Sequence, residues 1–163
     1  GSGAYCIEAC KAYPQLKATV LDLPEVTPVA REFIEDNNLS ERVDTYDADF
    51  NTDSFPEGAD IAIMASNLPM YGREAIQAVI QKIYNVLLPD SEFHLIGEAL
   101  NEDRSGPSDP AMWGLAQTLH NSTGMAHSVT ECTRYLKNAG FQNIEVSDFV
   151  PEVLMRISGR KAQ

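Results

Sequence analysis

Alternation of strand and helix governs how this chain can fold, and it begins at the first residues. Gly1-Ser2-Gly3 opens residues 4–13 (AYCIEACKAY), which read as a helix with Tyr5, Ala9 and Ala12 near one face. Lys17–Leu21 is β-branched and apolar, a short buried strand, and it ends at Asp22, 19 residues after Gly3. Glycines let a backbone approach a ligand closely, and an acid at the end of the next strand accepts hydrogen bonds from ribose hydroxyls. The spacing therefore points to a nucleotide-type ligand.

The alternation continues. Pro24 is placed as the first residue of a helix through about Asn37, with Val26, Val29, Ala30, Phe33 and Ile34 apolar. Arg42–Tyr46 alternates like a strand, and Asp60–Ala65 (DIAIMA) reads as a buried one. Glu74–Leu87 is an amphipathic helix, Glu92–Gly97 a strand and 110–120 a helix. Ser128-Val-Thr-Glu131 is a capping box opening a helix that stops near Gly140. Phe141–Val146 and Val153–Ile157 are closing strands joined by a connection containing Pro151. The expected fold is α/β: a mostly parallel sheet covered on both faces, with an antiparallel C-terminal hairpin, in one domain over residues 1–163.

Composition narrows the function. Twelve Lys+Arg against 24 Asp+Glu give a net charge of −12. Such a chain would repel phosphates and anionic lipids, so neither nucleic acid nor a membrane surface is an expected partner. No window reaches the roughly 18 apolar residues of a membrane span. Three cysteines suggest a reducing compartment, the cytoplasm. Cys6 and Cys10 share a helix face with no third ligand nearby, so reduced thiols are expected and no metal site. There is no GxSxG elbow or P-loop, which removes hydrolase and NTPase chemistry. A nicotinamide dehydrogenase could use the glycines and Asp22, but Cys6 stands where its third glycine belongs.

The segment GSGAYCIEACKAYPQLKATVLDLPEV resembles the cofactor loop, first helix and second strand of class I S-adenosylmethionine-dependent methyltransferases. More narrowly it resembles the family of plant phenolic and bacterial O-methyltransferases. The likeness continues in order through Ser40–Val43, Ala48–Phe50, Pro56–Asp60, Glu98–Pro107 and Leu136–Phe141. It implies S-adenosyl-L-methionine as cofactor. Gly1 and Gly3 would line its methionine end, Asp22 would hold the ribose hydroxyls, Leu23 would pack on the adenine, and Asp49 and Phe50 would flank the adenine. Trp113, His120 and Met125 would belong to the acceptor pocket.

The likeness breaks at the base. The family places a histidine nine positions after the fourth strand's first Asp and twenty before the Pro that follows the next helix. Both counts, from Asp60 and back from Pro89, land on Pro69. Of the two family glutamates flanking that base, Glu98 is kept and the other falls on Ala126; His127 is next to it and is a candidate replacement base. The expected activity is methyl transfer to a small aromatic or polycyclic acceptor by direct displacement, driven by positioning. The alternative is a cofactor-binding protein without methyl transfer, serving a regulatory or dimerisation role. The family also dimerises through an N-terminal helical domain that these residues do not contain, and it has a central strand before the glycine loop. The expectation is therefore that residues 1–163 form an N-terminally truncated domain, lacking the first central strand, within a homodimer.

Overall fold

The computed structural model describes residues 1–120, 123–151 and 153–163. Its contacts divide the chain into two compact units, residues 1–56 and 57–163.

The first unit runs α1 (Ala4–Ala12), β1 (Ala18–Asp22), α2 (Thr27–Asp36), β2 (Val43–Asp47). The two strands are parallel, from Ala18 opposite Val43 to Asp22 opposite Asp47, with α2 as the crossover that parallel pairing requires. Ile7, Cys10, Val20, Ala30, Ile34, Leu39 and Val43 form the core. The buried stripe of α1 is thus Ile7 and Cys10, not Tyr5, Ala9 and Ala12, and Tyr5 is exposed. Helix α2 starts three residues later than Pro24 predicts. Pro28 occupies its first turn, and Pro24 sits in the preceding turn. Arg42 secures the unit by donating to the carbonyls of Cys10 (2.8 Å), Tyr13 (3.3 Å) and Pro14 (3.1 Å), at and after the end of α1.

The second unit contains β3 (Ala59–Ala65), a 3-10 turn (Leu68–Met70), α3 (Arg73–Val86), β4 (Leu87–Gly97), α4 (Ser108–His120), α5 (Val129–Ala139), β5 (Gln142–Val150) and β6 (Leu154–Arg160). Its sheet has the order β3-β4-β6-β5, with β3–β4 parallel and the other two ladders antiparallel. The closing hairpin forms as expected, with longer strands. Among the described residues the parallel ladders β1–β2 and β3–β4 are accompanied by the antiparallel ladders of the closing hairpin, the α/β arrangement expected. Among the described residues no strand precedes α1, and β1 and β3 are each paired on one side only. Helices α3 and α5 pack together on one face of the sheet, burying Ile76, Val79, Ile80 and Ile83 with Phe93, Leu95, Leu136 and Ile157. Phe93 stacks on Phe141 at 5.5 Å, and Tyr84 meets Phe141 edge-on at 4.9 Å. The predicted capping box is present on α5, which ends at Gly140 with φ 106°. The DIAIMA strand is less buried than its composition predicts. Met64 faces the helices, whereas Ile61 and Ile63 are on the opposite face and about half exposed.

Candidate active site

In the first unit the glycine loop is set by backbone stereochemistry. Gly3 is the N-cap of α1 with φ 77°, a left-handed conformation that side chains disfavour. A Cβ there would also lie 3.0 Å from Val20 Cγ2, so the loop sits tightly on β1. Around Gly1 there is open space, and no close approach requires a glycine. Asp22 ends β1. One of its carboxylate oxygens accepts from the Leu23 amide at 2.8 Å, and the other pairs with the Gly1 amino group. Leu23 is exposed.

The register carries β2 past the same end. Ala48 N–H donates to the Asp22 carbonyl at 2.9 Å, so Asp49 and Phe50 follow directly beside the carboxyl end of β1. Asp49 folds this loop on itself, its carboxylate accepting from the Asn51 amide at 2.8 Å. Phe50 packs edge-on against Phe55 at 5.9 Å. The five residues Gly3, Asp22, Leu23, Asp49 and Phe50 thus gather at one end of the two-stranded sheet, where α/β proteins hold their ligands. Behind them lies a cluster the sequence did not single out. Thr27 is fully buried and donates to Asp47 at 2.5 Å, while Arg31 donates to Asp47 at 3.2 Å and to Thr45 at 2.8 Å.

In the second unit Pro69, at the position of the family base, is buried in the 3-10 turn. Its carbonyl accepts from the Met125 amide at 3.0 Å. His127 does not suit the replacement role expected of it. It is 1% exposed, and both ring nitrogens are engaged. Nε2 lies 2.8 Å from the Tyr71 carbonyl oxygen and must donate to it, leaving Nδ1 to accept from the Tyr135 hydroxyl at 3.0 Å. Burial holds the imidazole below its usual pKa, although the Tyr71 carbonyl and Glu131 favour the protonated form. The ring is a neutral internal tie. Tyr135 stays protonated, its pKa pushed up to about 12, chiefly by burial.

Around this tie is a second feature not anticipated. Glu131, besides closing the capping box, bonds Arg73 and Arg104 at 2.7 Å each. Arg104 belongs to the segment after β4, and Leu100 in that segment bridges to Ser128. The segment leading from Glu98 is thereby fastened to the start of α5. Of the acceptor candidates, Met125 is half-buried beside Pro69, while Trp113 and His120 lie exposed on α4. Helix α4 approaches residues 124–126 closely, since a Cβ on Gly114 would fall 2.4 Å from the Ala126 amide nitrogen. Of the cysteines, Cys10 and Cys132 are buried and Cys6 is partly so, and burial pushes the Cys132 thiol up to about 12.

Residues 1–142 match the O-methyltransferase domain family. The chain is 32% identical over 150 residues to the 3-hydroxy-5-methyl-1-naphthoate 3-O-methyltransferase of Streptomyces sahachiroi, covering 91% of this chain and 43% of that protein. It is 27% identical over 158 residues to the L-tyrosine C(3)-methyltransferase of Streptomyces lavendulae, covering 96% and 41%. The crystal structure of human N-acetylserotonin methyltransferase in complex with SAM superposes with a TM-score of 0.83 at 28% identity, covering 100% of this chain and 46% of that one. The chain thus spans less than half the length of these relatives. On the strength of the family match, this chain belongs to the O-methyltransferase domain family.

Proposed function

We propose that this chain is the cofactor- and acceptor-binding part of an S-adenosyl-L-methionine-dependent methyltransferase acting on a small aromatic or polycyclic molecule. The observation that carries the reading is the Gly3 turn seated on β1 with Asp22 at that strand's carboxyl end. A carboxylate only accepts hydrogen bonds, which suits the two hydroxyls of a ribose. Leu23 and Phe50 offer apolar surface for the adenine, Asp49 lies in the adjoining loop, and Gly1 and Gly3 leave room for the amino-acid end. Bound cofactor supplies a methyl group activated on sulfonium sulfur. The chain's own residues contribute positioning, which alone lowers such a displacement barrier greatly.

Trp113, His120 and Met125 are the acceptor-side candidates, and Glu98 is the catalytic one. His127 is a structural tie in this reading. The relatives' names include naphthoate and tyrosine methylation, which supports an aromatic acceptor. None of those quoted names a regulatory protein, and so the reading without methyl transfer has no support from them. We further infer a homodimer formed through a segment outside these residues, and a cytoplasmic location consistent with three free cysteines.

Calorimetry with S-adenosylmethionine tests the cofactor reading. Asp22→Ala should weaken binding roughly 10-fold or more, the worth of hydrogen bonds to a charged group. Binding untouched by the substitution overturns the placement. Transfer of labelled methyl to hydroxynaphthoates tests the activity.

A further inference from the structure

Two buried oxygen atoms in the second unit have no hydrogen-bond partner, and both are acceptors at the same end of the sheet: Asn67 Oδ1 and Glu98 Oε2. Their placement follows from the ladder. Strands β3 and β4 pair in parallel up to Ala65 opposite Ile96, and Ser66 N–H then donates to the Ile96 carbonyl at 2.9 Å. Beyond that last rung the chains continue through Asn67 and Glu98. A Cβ on Gly97 would stand 4.0 Å from Leu68 Cβ, so the two departing segments run against each other. This is the carboxyl end of adjacent parallel strands, the usual ligand crevice of an α/β sheet.

Buried acceptors without donors are rare and unfavourable, and more so on a charged group. The other groups nearby are already committed. The Pro69 carbonyl takes the Met125 amide, both nitrogens of His127 are bonded, and Glu131 holds its two arginines. A ligand hydroxyl suits this end of the sheet: its one proton meets one acceptor, and the Asn67 amide, turned about its last bond, offers an N–H to its oxygen.

Resting on the methyl-transfer reading, we propose that Asn67 and Glu98 form the subsite for the acceptor's hydroxyl, and that Glu98 itself takes the hydroxyl proton in place of a histidine. The hydroxyl proton passes to Glu98 Oε2 as an oxygen lone pair forms the new O–CH3 bond. The S–CH3 bond breaks with its electron pair remaining on sulfur, leaving a neutral thioether. Asn67 is a positioning residue: with its amide turned about its last bond, an N–H donates to the hydroxyl oxygen while the proton goes to Glu98.

The test uses the complete protein with labelled S-adenosylmethionine and two probes. One is 1-naphthol, protonated at neutral pH; the other is 2,4-dinitro-1-naphthol, already ionised. Glu98→Gln, which keeps size and folding, should lower kcat/KM for 1-naphthol about 100-fold or more, the usual worth of a general base. It should leave the ionised probe within about 3-fold, since that probe has no proton to give. Equal losses on both probes, or a wild type that methylates only the ionised one, overturn Glu98 as proton acceptor while leaving methyl transfer standing. Asn67→Leu should raise KM for 1-naphthol about 10-fold with kcat nearly unchanged, and calorimetric binding of 1-naphthol without cofactor should weaken in parallel. Unchanged binding removes Asn67 from the subsite. A wild type that binds cofactor and methylates neither probe overturns the methyl-transfer reading and this assignment with it.

Discussion

The two units of this chain carry their chemistry in different ways. In residues 1–56 the candidate cofactor residues depend on backbone geometry: a left-handed glycine on a strand, an acid at that strand's end, and a loop placed by the β1–β2 register. In residues 57–163 the candidate acceptor end depends on side chains distant in sequence. Glu131 binds Arg73 and Arg104, which lie 58 and 27 residues away, and His127 joins Tyr71 to Tyr135. Geometry of the first kind tolerates almost no change at a few positions. A network of the second kind can lose one member and leave the remaining bonds in place.

The sharpest way to break that contrast is Gly3→Val. A β-branched residue would be forced to positive φ with its Cβ 3.0 Å from Val20 Cγ2. Left-handed strain and overpacking together should destabilise the first unit by about 3 kcal/mol and abolish measurable cofactor binding. Denaturant unfolding and calorimetry read the two effects. A variant of native stability would show that the loop can be rebuilt without glycine.

Glu131→Ala strikes the second unit's network and comes next in size. It removes the cap interaction of α5 and leaves Arg73 and Arg104 without their shared carboxylate. The arginines are about half exposed, so water recovers much of their share. The expected loss is about 2 kcal/mol. Glu131→Gln, which can still accept from the Ser128 amide but carries no charge, should recover part of it. Equal losses in the two variants would assign the whole effect to the charge pairing with Arg73 and Arg104 and none of it to the cap.

How far these features could be read without coordinates follows the same division. The capping box at Ser128 and Glu131 was legible because both partners lie within one helical turn. Gly3 and Asp22 were legible because a fixed spacing carries them. The start of α2 was misplaced because two prolines compete for the first turn, and Pro28 wins it over Pro24. The buried face of α1 was misread because small and aromatic residues occur all round that helix, and packing on β1 selects Ile7 and Cys10. Asn67 left no trace at all in the sequence, since its interest lies in a bond that the rest of the chain does not make. His127 was legible as a titratable residue next to Ala126, where the family resemblance expects a glutamate. Its fate was not, because both of its partners lie elsewhere in the chain.

His127 also gives the finest test of the contrast, through pH. Burial holds its pKa below 6.5, against the pull of the Tyr71 carbonyl and Glu131 and with the help of Arg73 and Arg104. The folded protein therefore resists protonation that the unfolded chain accepts near pH 6.5. By linkage, the stability from neutral His127 is fully present above that value, and it declines as pH falls from there through the folded pKa. His127→Gln, whose amide can donate to Tyr71 and accept from Tyr135, should lower stability at neutral pH by only about 1 kcal/mol. It should also flatten the fall of the unfolding midpoint below about pH 6.5. As an internal tie, His127 should leave the pH dependence of methyl transfer unchanged when it is replaced. If instead the midpoint keeps its wild-type pH slope while the pH–rate profile loses its acid limb, the ring is catalytic, and the second unit has kept a histidine base after all.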